Sequence, residues 1–246
     1  MEVVNKIAAG FIDNNGRKPL ADWVRSRIKP QVDIFIDTAH IPSNGVDIVD
    51  RVKFIIKEAK SVDFLYLIEN DDYYPEDYIL QQERCRGDAD FINSYKYIRY
   101  HIKSRHVQYI GHKKGKYNIG GLWTMGFRPE LVTQEFLQFV PDHERYLDGY
   151  LCRWFQDRYR CVWNNDHKGI AIKGHGVGQS NPNGVHKQMN VPYMFDQVLH
   201  ILEGLTDESF MKLHFSDHKY QLRKSNTEVR KYLQTFFPGV DELLNG

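Results

Sequence analysis

Hydrophobic positions in the first half of the chain follow two spacings, one typical of buried strands and the other of helices. Short apolar runs at 3–12, 32–37 and 62–68 are rich in β-branched and aromatic residues, as strands are. Between them, apolar side chains recur at helical spacing from Leu20 to Ile28 and again from Val49 to Ala59. The alternation predicts an α/β fold with a mostly parallel sheet, whose ligands bind at the carboxyl ends of the strands.

The third apolar run ends abruptly in polar residues, at Glu69, Asn70, Asp71 and Asp72. Three carboxylates within four positions repel one another, and at a strand's carboxyl end a divalent cation is the usual compensation. Oxygen donors favour Mg²⁺ or Mn²⁺ over zinc. A polar turn that merely closes the strand would have a similar composition, because Asn and Asp favour turns.

The order of features around these acids favours the metal site. An apolar strand, the acids, two tyrosines, Pro75 and an amphipathic helix follow one another directly. This string resembles the metal-binding DxD region of GT-A-fold glycosyltransferases, especially the family 2-like group. The match is Glu69-x-Asp71-Asp72, with glutamate in place of the first aspartate. The resemblance implies Asp71 as a metal ligand, Glu69 as a ribose or water-mediated contact, and Asn70 and Asp72 as further contacts to the donor.

The resemblance also implies a fold and an activity. It covers residues 1–190, expected to form a Rossmann-like GT-A domain, with 191–246 as a C-terminal helical extension packed on it. The implied reaction moves a sugar from a nucleoside-diphosphate sugar, most often UDP-linked, to an acceptor hydroxyl. A strand-end aspartate contacts the nucleotide base in the family, and Asp37 is the candidate here. A turn or helix cap explains Asp37 equally well.

Two further segments contain candidates for the same site. Gly120 and Gly121, with Trp123, match the segment that approaches donor and acceptor in the family, where absent side chains let the backbone come close to a ligand. Trp123 fits the core equally well. A glycine-rich run contains His175. Some GT-A enzymes use a C-terminal histidine of this kind to bind the metal ion or the diphosphate, so the resemblance implies His175 for that role, with His186 as the second candidate. A histidine that is merely hydrogen-bonded is the competing interpretation.

Asp148 is the candidate general base. It lies in Leu147-Asp148-x-x-Leu151, which resembles the family's Glu-Asp-x-x-Leu, where the aspartate deprotonates the acceptor hydroxyl in an inverting displacement. Leucine replaces the first acid of that pair. Asp142 and Glu144 are competing candidates, and an exposed acid at a helix start is favoured by the helix dipole in any case.

The stretch 91–129 contains eight lysines and arginines and no acid. Five tyrosines are interleaved, and cations with aromatic faces are what a nucleic-acid acceptor would need. The net charge is only +1, so this would be a local patch, at 95–117. It predicts a DNA acceptor, specifically a hydroxymethylated pyrimidine of the kind that phage enzymes glycosylate. A solvated hairpin whose cations balance the metal site or hold the diphosphate is the alternative.

Other functions remain open at this level. A glycan or a lipid-linked acceptor would suit the same enzyme class. A non-catalytic nucleic-acid-binding module would use the basic stretch without chemistry, and a metal-dependent nuclease would also use clustered acids. No GxGxxG or GxxxxGK[ST] motif is present, which disfavours a dinucleotide or P-loop enzyme.

Composition sets the wider frame. With 246 residues, 41% hydrophobic and 26% charged, the chain can form one enzyme-sized soluble domain. Three cysteines without CxxC spacing indicate a reducing compartment and no structural zinc. No apolar run approaches the roughly 20 residues of a membrane span, and the start of the chain lacks a secretory cleavage pattern. We therefore expect a cytoplasmic protein of a bacterium or of a phage-infected host.

Overall fold

The computed structural model of the chain describes residues 6–13, 18–41, 48–70, 72–101, 106–111, 113–140, 147–165 and 169–173. They belong to two compact units. The first takes its described residues from Met1–Tyr97 and Gly111–Gly169, and the second from Ile98–Ile110 and Ile170–Gly246. The predicted C-terminal helices at 191–246 lie outside the described residues, so the division at residue 190 stays a prediction.

Eleven strands are present in the described part of the chain. They are β1 (Ile7–Ile12), β2 (Ile34–Asp37), β3 (Phe64–Glu69), β4 (Phe91–Asn93), β5 (Lys96–His101), β6 (His106–Gly111), β7 (Lys113–Lys114), β8 (Tyr117–Asn118), β9 (Gly126–Phe127), β10 (Cys161–Trp163) and β11 (Ile170–Lys173). The apolar runs predicted as strands at 3–12, 32–37 and 62–68 correspond to β1, β2 and β3. Each observed strand begins two to four residues later than its run.

The large sheet of the first unit has the order β10-β4-β9-β3-β1-β2. β1 pairs in parallel with β2 and with β3, and β10 pairs in parallel with β4. β9 runs antiparallel to both of its neighbours, β3 and β4. Five strands therefore point the same way and one is reversed. This mixed, mostly parallel sheet confirms the predicted fold class.

Helices accompany this sheet, as the apolar spacing predicts. They are α1 (Lys18–Ile28), α2 (Ile48–Glu58), α3 (Tyr78–Arg86), α4 (Gln134–Phe139) and α5 (Leu147–Gln156). None of the helices in the described ranges is long and apolar enough to cross a membrane.

Two helices build much of the core. Val52 and Ile55 of α2 are buried in the same apolar cluster as Ala8 of β1 and Leu65 of β3. Farther across the same face of the sheet, Phe155 of α5 stacks on Phe91 of β4, with ring centroids 4.7 Å apart, and lies 5.5 Å from Phe127 of β9. Burial of such rings contributes roughly 1.5–3 kcal/mol each, so α5 is firmly placed against β4 and β9.

The second unit contributes a three-stranded sheet in the order β11-β5-β6. β11 pairs in parallel with β5, with Ile170 opposite Ile98. A separate two-stranded ladder joins β7 to β8, and its connecting Gly115 has φ +63°, a left-handed conformation that glycine adopts without strain.

Gly10 lets α2 approach β1, and replacing it should destabilise the protein. A Cβ at this position would overlap Cγ2 of the buried, β-branched Ile55. We expect Gly10→Ala to lower the free energy of unfolding by about 1–3 kcal/mol, the usual cost of overpacking. The matched control is Gly149→Ala in α5, where a Cβ would meet no atom within 4 Å. That change should be neutral or stabilising by up to about 1 kcal/mol. Urea denaturation measures both, and equal effects would contradict the packing argument.

Candidate active site

The carboxyl ends of β2, β1 and β3 lie side by side, because these three strands are parallel and adjacent. The side-chain amide of Asn70, after β3, donates to Asp13 Oδ1, after β1, at 2.8 Å. The Thr38 hydroxyl, after β2, accepts a hydrogen bond from the backbone N–H of Asp13 at 2.9 Å and donates to the carbonyl of Phe11. Three segments far apart in sequence thus form one polar edge, the position at which α/β sheets bind ligands.

Arg25 of α1 holds two of these strand ends together. Its Nε lies 2.6 Å from Asp37 Oδ2, and Nη2 contacts the Asp13 carboxylate. Nη1 pairs with Asp22 at 2.7 Å. Partial burial lowers the pKa of Arg25, but the hydrogen bonds and charges of Asp37 and Asp13 outweigh it, so the net shift in pKa is upward and the guanidinium stays charged.

Arg51 of α2 stabilises the same edge by bonding to the backbone of the segment after β2. It is only 2% exposed and donates to the backbone carbonyls of Thr38 at 2.6 Å and of Ile41 at 3.1 Å. Burial lowers the pKa of this guanidinium, and the nearby charge of Asp13 opposes that shift. The chain after β2 is therefore held by an arginine that bonds to backbone atoms, while its charge still acts on Asp13.

Asp37 is engaged by protein groups, as the capping interpretation predicts. Besides Arg25, its Oδ1 accepts the backbone N–H of Ala39 at 2.8 Å, which is a turn cap. Its side chain nevertheless remains 32% exposed. Asp37 therefore combines a fixed orientation with an accessible carboxylate edge, and a role in contacting the donor stays a prediction.

The acidic turn after β3 is closed by a tyrosine. The backbone N–H of Glu69 donates to the Tyr74 hydroxyl at 2.9 Å. Tyr74 and Asp72 are completely buried, whereas Glu69 is half-buried. Burial above all, with a contribution from the charge of Asp72, raises the pKa of Tyr74 and of Tyr78 well above the usual tyrosine value. Asp72 is enclosed, so Glu69 is the more accessible of these two carboxylates.

Asp71 and His175 both lie outside the described residues, as do His186, Asp142 and Glu144. Within the ranges that the structure describes, no group of three or more His, Cys, Asp or Glu side chains could hold a metal ion. Metal binding therefore stays a prediction that depends on Asp71.

Trp123 and the two glycines before it pack against protein. Trp123 is 3% exposed, and its ring lies 6.0 Å from that of Tyr74 and 5.4 Å from that of Tyr97. A Cβ at Gly120 would come within 2.5 Å of the Asn93 side chain, and one at Gly121 within 2.8 Å of Trp123 itself. The space left by the absent side chains of the two glycines is thus occupied by protein atoms of the described structure. Trp123 lies in the core.

Asp148 lies in the first turn of α5, on the other half of the same edge. Farther along this helix, Phe155 stacks on Phe91, the first residue of β4, while Cys152 lies beside Asn93, the last residue of β4, with Sγ 3.3 Å from the amide nitrogen. The helix axis thus runs against the strand direction. Asp148 is four residues before Cys152, so at 1.5 Å per residue it lies about 6 Å beyond Cys152 along the helix axis, past the carboxyl end of β4.

The environment of Asp148 is only partly enclosed. Its side chain is half-buried, and Oδ1 accepts the backbone N–H of Gly149 at 2.7 Å. Its charge acts on Cys152, where burial above all raises the pKa to about 12 and Asp148 adds to the shift. A carboxylate with one side toward solvent at a helix start can accept a proton from a bound hydroxyl.

The described tyrosines of the basic stretch are used in packing. Tyr97 is buried against Trp123, and the Tyr95 ring lies 5.5 Å from that of Trp163. The Tyr117 hydroxyl donates to the Asp157 carboxylate, which also pairs with Lys116 at 3.0 Å. The side chains at 98–101 and 106–114 are not among those described.

The residues that organise this edge have little local signal in the sequence. Asp13 is the first residue of an Asp-Asn-Asn-Gly turn signal, a type of turn that could also cradle a nucleotide, and the helical residues Arg25 and Arg51 were not singled out. Arg51 does show a signal: it lies directly beside Val52, within the stretch of α2 whose neighbours at Val49 and Ile55 are buried. A charge next to an apolar face indicates a buried partner, because an isolated charge is costly to bury.

Comparison with known proteins adds little to this geometry. No family model and no curated protein matches the chain. Among solved structures, it is similar to residues 1–349 of S. aureus TarS in complex with UDP-GlcNAc, with a TM-score of 0.44 and 11% identity, over 94% of this chain and 79% of the other. A second structure of the same TarS fragment gives a TM-score of 0.43, 10% identity, and coverages of 98% and 83%. Likenesses this distant do not bear on function, which has to be argued from the site.

Proposed function

We propose that the protein is a glycosyltransferase that moves a sugar from a nucleoside-diphosphate sugar, UDP-linked, to an acceptor hydroxyl. One observation supports this most strongly: a single sheet edge has an acid- and amide-rich half at the ends of β1, β2 and β3 and a separate, half-buried carboxylate, Asp148, on its other half. A group transfer between two bound molecules needs this division, because donor and acceptor must be held side by side with a base on the acceptor side.

The donor half suits a nucleoside. Asp37 offers an accessible carboxylate edge held by Arg25 at the end of β2, and half-buried Glu69 ends β3, with β1 between the two strands. Carboxylates accept hydrogen bonds from ribose hydroxyls and from base N–H groups. Asp13 and Asn70 are buried behind them and fix the strand ends.

A diphosphate would be repelled by so many carboxylates, so the proposal includes a divalent cation. Asp71 is the proposed ligand, with His175 as a second, and oxygen donors of this kind suit Mn²⁺ or Mg²⁺. When bound, the ion would supply positive charge that stabilises the departing nucleoside diphosphate.

The proposed reaction is an inverting displacement. The acceptor oxygen forms a bond to the anomeric carbon, and its proton passes to the Asp148 carboxylate. The bond between the anomeric carbon and the diphosphate oxygen breaks, and the diphosphate leaves with that electron pair. Asp148 lies beyond the strand ends on the α5 side, which is the side that an acceptor would occupy.

The proposed acceptor is a hydroxymethylated pyrimidine in DNA, on the basis of the cations at 95–117. One observation favours a glycan or lipid-linked acceptor as the second candidate. Tyr95, Tyr97 and Tyr117 pack or hydrogen-bond within the protein, so these rings are less available to stack on bases.

The donor site can be tested by thermal unfolding with UDP, in the presence and absence of Mn²⁺. At a hundredfold excess over Kd we expect the unfolding temperature to rise by about 5–10 °C, and less without the metal ion. Asp71→Asn should abolish the difference that Mn²⁺ makes. The control is Asp88→Asn, an exposed acid that pairs with Arg160 at the opposite edge of the sheet. No shift with UDP or other nucleoside diphosphates would contradict the proposed function.

The base can be tested by turnover. Asp148→Asn should lower kcat by about 10²–10⁴-fold, because it removes the proton acceptor, and should leave donor affinity unchanged. Asp157→Asn, an exposed acid just after the same helix, is the control and should retain activity. Product analysis by NMR should show inversion at the anomeric carbon. Retention would refute the assignment of Asp148 as a base.

The acceptor can be tested by gel shift with duplex DNA over a salt series. A DNA acceptor predicts binding at low salt that weakens steeply as salt rises. Replacing Lys113 and Lys114 by Gln should weaken it, while replacing Lys57 and Lys60, which lie outside the basic stretch, should not. Absence of any complex at low salt would eliminate DNA and leave the glycan or lipid-linked acceptor.

A further inference from the structure

Arg25 uses all three nitrogens of its guanidinium on carboxylates at or beside the donor half of the edge. Nε and Nη2 lie 2.6 Å and 3.3 Å from the two oxygens of Asp37. Nη2 also reaches Asp13, and Nη1 lies 2.7 Å from Asp22. A forked contact of this kind fixes direction as well as distance, which the single ammonium of a lysine cannot do.

The Arg25 guanidinium also lies over an aromatic ring. Its central carbon lies 4.8 Å from the centroid of Phe11, a completely buried residue of β1. The Arg25 side chain is about one-fifth exposed, so it is held between the strand and its carboxylate partners. Stacking on Phe11 and pairing with Asp37 together place the end of β2 relative to β1.

Asp13 extends this arrangement to β3. It is 3% exposed, with Oδ2 on Arg25 and Oδ1 accepting the amide of Asn70 at 2.8 Å. Arg51 acts on Asp13 through charge, while its hydrogen bonds go to backbone carbonyls. The spacing between the Asp13 and Asp37 carboxylates therefore depends on Arg25. The orientation of the Asn70 side chain, directly after β3, depends in turn on Asp13.

We propose that Arg25 is a positioning residue for donor binding. It orients the accessible edge of Asp37 and, through Asp13 and Asn70, the start of the acidic turn. This inference rests on the proposed function. Because Arg25 acts through these residues and not on the reacting atoms, its loss should appear in the affinity for UDP and in the KM for the donor, while kcat at saturating donor stays close to that of the wild type.

The test compares Arg25→Lys, Arg25→Gln and the control Arg128→Lys. Arg128 also forms a partly exposed ion pair, with Asp90 at 3.0 Å, but this pair lies at the amino end of β4, away from the candidate site. We expect Arg25→Lys to raise the Kd for UDP, measured by calorimetry, by about tenfold, the usual effect of losing a hydrogen bond between charged groups, and Arg25→Gln to raise it more. Arg128→Lys should bind UDP as the wild type does.

Lysine retains the charge, so wild-type UDP affinity in Arg25→Lys would overturn the inference and leave only a charge-balancing role. A fall in kcat without a change in KM would also overturn it. If both Arg25 variants lose the near-ultraviolet circular dichroism of the folded protein, Asp13→Asn takes their place, since it weakens the pairing of Arg25 with the end of β1 and leaves the proposed donor contact, Asp37, in place. Unchanged UDP affinity in that variant would again overturn the inference.

The two proposals fail in different ways. If the wild-type protein binds no nucleoside diphosphate, with or without Mn²⁺, the proposed function and the role of Arg25 both fall. If the wild type binds UDP and the Arg25 variants bind it equally well, only the role of Arg25 falls.

Discussion

Repulsion between carboxylates at adjacent strand ends is the constraint on which the rest of the site depends. Parallel pairing of β1 with β2 and β3 brings Asp13, Asp37 and the acidic turn to one edge. The buried charge of Asp13 is tolerated because Arg25 and Asn70 bond to both of its oxygens. The protein thus folds with several carboxylates at one edge of the sheet, and Arg25 neutralises part of their charge.

Local pattern was enough to predict the framework. The run ending at Glu69 predicted β3, and the spacing from Leu20 to Ile28 and from Val49 to Ala59 predicted α1 and α2. These predictions hold because burial of one face imposes a period on the sequence. Position along the strand could also be predicted, since charged residues directly after an apolar run must lie where the sheet meets solvent.

Pairing between distant segments could not be predicted in the same way. Nothing local in the sequence shows that Arg25 reaches Asp37, or that the Tyr74 hydroxyl accepts the N–H of Glu69. The tyrosines of the basic stretch illustrate the same limit. The neighbours of a tyrosine along the chain do not show whether its ring stacks on a base or packs within the protein, as the ring of Tyr97 packs on Trp123. Their roles are set by the tertiary fold.

The reversed strand β9 has a consequence for how the two halves of the edge are connected. Because it runs against its neighbours, the segment leading into it, at 120–125, lies at the strand ends where the others finish. The Tyr78 hydroxyl, just beyond the acidic turn, donates to the Trp123 carbonyl at 3.1 Å, and Thr124 bonds to Asn93. One short crossing of the chain thus joins the segment after β3 to the end of β4, against which α5 packs.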